Sequence, residues 1–120
     1  MASRRSREEL EEVVMREFEM AREARLEGNE GRARVCARRA AGWALESIYD
    51  PAQAEELPEA NAYRFLSWFK EQGHFPGRLR AAADRLTARV AEDFTLPFEQ
   101  DPLDDAEMII NWVLEEHRDG

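Results

Sequence analysis

The chain has very little with which to do covalent or metal chemistry. Its 120 residues include one cysteine, Cys36, and two histidines, His74 and His117. A single cysteine excludes an intrachain disulfide, and its place on the apolar arc of a helical segment reads as a buried, inert thiol. Neither histidine has a second histidine or a cysteine at ligand spacing, which excludes an ordinary zinc site. The Glu-x-x-His pairs of di-iron bundles are missing as well. The nearest grouping, Glu115, Glu116 and His117, puts its members on different helix faces. His74 lies in a turn beside Phe75 and Pro76, and His117 falls in a last helical turn, where a cation complements the helix dipole. No serine or threonine stands beside a base that would activate it. The stretch GNEGRA follows no strand, so it is a helix-to-helix turn and not a phosphate loop. No apolar run approaches the roughly eighteen residues of a membrane helix. The basic start MASRRSREEL has no apolar segment behind it, unlike a secretion signal. The expectation is a single cytoplasmic domain over 1–120, with no cofactor, no metal and no membrane partner.

Lysine is nearly absent too: Lys70 stands alone against sixteen arginines. The net charge is −9, and it is unevenly spread. Residues 1–90 hold sixteen basic and sixteen acidic side chains, whereas residues 91–120 hold ten acidic ones against Arg118. No broad positive field exists to attract a DNA duplex.

Apolar spacing of three and four residues runs through most of the sequence, and no alternating strand pattern appears. Leu10, Val13, Val14, Glu17, Phe18, Ala21 and Ala24 mark a first helix from about Ser6 to Leu26. Gly28 suits its C-terminal cap, and Asn29 suits the N-cap of a second helix that ends at Asp50-Pro51. A third helix is expected over 58–72, opened by Pro58 and closed by Gly73. A fourth spans about Gly77 to Phe94, with Leu79, Ala83, Leu86, Val90 and Phe94 as its apolar stripe. An extended TLPFEQ connection leads to a last helix capped by Asp101, with Pro102 at its first position. The fold class is all-α, an up-and-down four-helix bundle with a short additional C-terminal helix.

Two features remain for function. In the second helix, Cys36, Ala40, Trp43, Ala44, Ser47 and Ile48 share one arc, while Arg34, Arg38 and Arg39 lie on the remaining surface. Together with Arg64 they are candidates for holding a phosphate or a partner's carboxylates; the alternative is a salt-bridged, solvated face. The third helix carries Tyr63, Phe65, Trp68 and Phe69, more aromatic surface than one face of a small bundle normally absorbs. These residues are either buried inside the monomer or form a dimer contact.

The second helix, ARVCARRAAGWALESIY, resembles the arginine- and alanine-rich second helix of the HEPN domains. The closing stretch RLTARVAEDFTLPFEQDPLDDAEMIINWVLEEH is similar to that family's last two helices. The resemblance implies a four-helix core with a short fifth helix, homodimers, and a nucleotidyltransferase or a nucleotide as partner. It also implies the ribonuclease toxins of the family, whose active residues lie in an Arg, four to six residues, His motif. Here the sequence departs: Arg64 precedes His74 by ten positions, and no arginine stands five to seven residues before either histidine. The leading expectation is therefore a non-catalytic, dimeric binding module. A ribonuclease with a non-standard site at Arg64 and His74, or a purely structural adaptor, are the alternatives.

Overall fold

A computed structural model describes residues 6–49, 61–88 and 99–116. The first helix, α1, spans Arg7–Leu26 and opens on a complete capping box. The Ser6 hydroxyl accepts from the Glu9 N–H, and the Glu9 carboxylate accepts from the Ser6 N–H. Gly28, at φ 80°, makes the left-handed turn that ends α1, as the sequence predicts. Asn29 then caps α2, Glu30–Glu46, by accepting from the Arg32 N–H. The last turn of α2 tightens early. The N–H groups of Ser47, Ile48 and Tyr49 bond three residues back, so the regular helix stops short of Asp50-Pro51. Asp50, Pro51 and Pro58 lie outside the described residues.

The third helix, α3, covers Ala62–Lys70 and is capped by Asn61, whose side chain accepts from the Arg64 N–H. It starts later than the proline suggested, because an asparagine in extended backbone offers a better cap. The fourth, α4, spans Gly77–Thr87 and is followed by extended Ala88. The expected continuation through Arg89, Val90 and Phe94, and the connection through Pro97, lie outside the described residues. The C-terminal helix α5 covers Pro102–Glu116, with the Leu103 N–H donating to the Asp101 carboxylate at 2.9 Å. Among the described residues the shortest helix is α3, with 9 residues, and α5 has 15.

The assembly is an all-α bundle. Helices α2, α3, α4 and α5 close a ring of neighbours, and α1 lies along α2 with only light contact to α5. α2 is central: Ala33, Cys36, Ala37, Ala40, Ala41, Ala44 and Leu45 are all buried, a wider surface than a single arc. Alanine is the reason it can be surrounded, since a short side chain lets three neighbours approach. The closest approach is at Gly42, where a β-carbon would fall within 2.5 Å of the Ala62 Cα. Phe69 seals the opposite end of the core, with Phe75 stacked on it at 4.6 Å and Trp112 at 5.9 Å between ring centres.

Candidate functional site

The four arginines singled out by the sequence do not converge on one ligand. Arg34 is buried at 7% exposure, and its Nη2 donates to the carbonyls of Arg85, Leu86 and Ala88 at 3.1, 3.2 and 2.6 Å. A guanidinium thus caps the C-terminus of α4, giving its last carbonyls a charged donor, although that of Arg85 also accepts from the Ala88 N–H at 3.2 Å, and complementing its dipole. Burial, and then the nearby Arg38 charge, lower the Arg34 pKa, although an arginine remains charged. Arg39, half exposed, reaches the largely buried Glu17 of α1 at 3.3 Å. Arg38 is half-buried, with its guanidinium carbon 6.0 Å from the centre of the Tyr63 ring. Arg64 is exposed in the first turn of α3.

Arg64 and His74 lie towards opposite ends of α3. His74 is exposed in the turn after α3, and roughly 9 Å of helix rise separates Arg64 from the end of that helix. His74 packs instead on Phe75, with ring centres 4.2 Å apart. His117 lies outside the described residues. Among the described residues, no group of three or more His, Cys, Asp or Glu is placed to hold a metal.

The aromatic side chains of α3 divide. Phe65, Trp68 and Phe69 are buried within the chain, at 3%, 7% and 0% exposure, against Tyr49, Phe75 and Trp112. Their rings stabilise the monomer's own core. Tyr63, 49% exposed, is the member left at the surface.

Two ion-pair clusters position the helices around α2. Arg25, at the end of α1, holds Asp101 through Nη1 and Nη2 at 2.7 and 3.0 Å and Glu30 through Nε and Nη2 at 3.0 and 2.8 Å. The Arg25 hydrogen bonds pull the Asp101 carboxyl below its ordinary pKa, against a smaller opposing effect of burial. Arg85 of α4 grips the buried Asp105 of α5 bidentately at 2.9 and 2.8 Å, which raises the arginine's pKa further.

These ties leave an open seam. α1 and α5 both rest on α2 but scarcely touch, and a groove of about 150 Å³ runs between them. Phe18 and Ile110 lie at its base, Met15 and Leu114 along its edges, and Arg22 and Glu107 face each other at 3.8 Å across one end. A separate, smaller cavity of about 20 Å³ lies towards the start of α1, where Leu10, Val14, Val113 and Leu114 meet Ala44 and Ser47 of α2. Met15 is 53% exposed and Leu26, on the same face of α1, is 87% exposed. The sequence reading passed over both. Their signal is a spacing of eleven residues, which returns to within roughly 20° of the same helix face.

Compared with protein-family models, the curated proteins and the solved structures, the chain matches none.

Proposed function

We propose that this chain is a non-catalytic helical module that binds a protein partner in the seam between α1 and α5. The observation that carries this reading is the exposure of Met15 over buried Phe18 and Ile110 at the α1/α5 groove. A groove with an apolar base and few direct ties across it is the form that helix-in-groove recognition uses. The arginines of α2 support the same reading indirectly. Arg34 and Arg39 hold the bundle together, which leaves less cation for a phosphate than the sequence alone suggested. A silent relative of the HEPN domains, docking a nucleotidyltransferase or another protein, and paired with a second copy of itself, fits within this proposal.

The test is capture of partners from cells that make the protein, using the wild-type chain and a Met15→Arg variant. Met15 is largely exposed, so the variant keeps its fold. A protein retained by the wild type and lost from the variant supports the reading. Equal retention by both chains contradicts it.

One observation favours a second reading, nucleotide docking. Exposed Tyr63 beside the Arg38 guanidinium offers a ring for a base and a cation for its phosphate, with Arg64 next to it in sequence. Titration with nucleotides, followed by Tyr63→Ala, tests it. Thermal shifts that are unchanged by Tyr63→Ala would rule this surface out.

A further inference from the structure

We infer that the occupant of the α1/α5 seam is an amphipathic helix of the partner, apolar on one face and flanked by arginine or lysine. The inference rests on the docking reading above and gives that partner its chemistry. The groove is lined on α1 from Met15 to Arg22, seven rises or about 10 Å, which accommodates about two turns of a helix. Its apolar lining, Met15 and Phe18 of α1 with Ile110 and Leu114 of α5, is spaced at the three- and four-residue steps that a second helix presents.

Charge decides between kinds of helix. Glu8, Glu12 and Glu19 of α1 lie within roughly 60° of Met15 around the helix, and Glu107 stands across the seam on α5. Against these four carboxylates this face carries Arg22, which is engaged with two of them. Its guanidinium pairs with Glu19 at 3.5 Å and Glu107 at 3.8 Å and lies 4.8 Å from the Phe18 ring centre. Arg16 sits about 100° round from Met15, off the groove face. The acidic flank of the α1 wall attracts a basic helix, repels an acidic one, and disfavours the phosphates of a nucleic acid. The Leu114 edge and exposed Met15 supply the desolvated contact, and a methionine adapts to several apolar anchors.

Fluorescence anisotropy on the full chain tests this with labelled peptides of about eighteen residues. The first has leucines at i, i+3, i+4 and i+7 spacing between lysine and arginine flanks. The second is the same composition scrambled, and the third replaces the basic flanks with glutamate. The ordered basic peptide is expected to bind at least roughly tenfold more tightly than either comparator and to weaken as salt rises from about 50 to about 500 mM. Met15→Ser, with an unchanged circular dichroism spectrum, is expected to weaken it about fivefold or more. Binding of the glutamate-flanked or scrambled peptide as tightly as the ordered basic one overturns the inference, as does indifference to Met15→Ser. If capture from cells still depends on Met15 after such a result, the docking reading stands with a different occupant. If that dependence is absent as well, the docking reading itself fails.

Discussion

Replacing Arg34 with methionine removes the guanidinium that closes α4 while keeping much of the aliphatic stem's volume. Three hydrogen bonds from Nη2 are lost, to the carbonyls of Arg85, Leu86 and Ala88. A bond from a charged donor contributes about 1.5–3 kcal/mol, and a buried acceptor left unpaired costs about 1–3 kcal/mol, but bonds that share one nitrogen do not add fully. The helix-terminus charge contributes about 0.3–1 kcal/mol more. An opposing effect comes from the buried charge itself. Burial lowers the Arg34 pKa, Arg38 adds repulsion, and the Arg34 Nε is buried without a hydrogen-bond partner. Arginine is weakly hydrated, so removing it recovers only part of the lost bonding. The net expectation is a loss of about 2–3 kcal/mol, equivalent to a fall of about 10 °C in Tm for a domain of this size. Arg34→Lys keeps the charge and one donor direction and should fall between wild type and Arg34→Met. Urea denaturation followed by circular dichroism measures both variants. An Arg34→Met protein within about 0.5 kcal/mol of wild type, or a lysine variant no better than methionine, would refute the capping role.

Gly42→Ala gains helix propensity of up to about 1 kcal/mol but drives a β-carbon into the Ala62 backbone, so it should lower Tm, with a net cost of about 1–3 kcal/mol. Asp105→Ala leaves Arg85 without its bidentate partner at a buried contact and is expected to cost about 2–3 kcal/mol by urea denaturation, less than a fully buried pair because Arg85 is partly exposed. Asp101, held below its ordinary pKa by Arg25, contributes stability that is present above the unfolded carboxylate pKa and is lost as pH falls through the lower folded value. Asp101→Asn keeps an oxygen to cap α5, removes that acid-limb contribution and, because the pair is about a third exposed, costs about 1 kcal/mol or less at neutral pH; the comparison is a series of melts from about pH 7 down to about pH 2.5.

The helix inventory was legible because its signals are local. Ser6, Gly28, Asn29, Asp101 and Pro102 act within one turn of their own positions, and each does what its residue type favours. The ends of α2 and α3 were less legible. A proline reports where a helix is forbidden, whereas Ser47 and Asn61 decide where it closes and opens. Arg34 shows a deeper limit. Its sequence position gives a charge on α2, but its partners are carbonyls 51 to 54 residues away, and no helical period reveals them. The same applies to α3: spacing shows too many aromatic rings for one face, and only the placement of Tyr49, Phe75 and Trp112 shows where Phe65, Trp68 and Phe69 are absorbed. The seam at Met15 depends on how closely α1 approaches α5, a tertiary distance set by the alanines of α2 and by the Arg25 and Arg85 clusters.

The docking of a partner in that seam is the claim that matters most, and site-specific photo-crosslinking addresses it directly. A benzophenone amino acid at position 15, beside the groove, is compared with the same residue at exposed position 78 on α4. The account predicts a discrete protein adduct from position 15 in cells that make the chain, and none of that mass from position 78. Identical adducts from both positions, or no adduct from position 15, would contradict it.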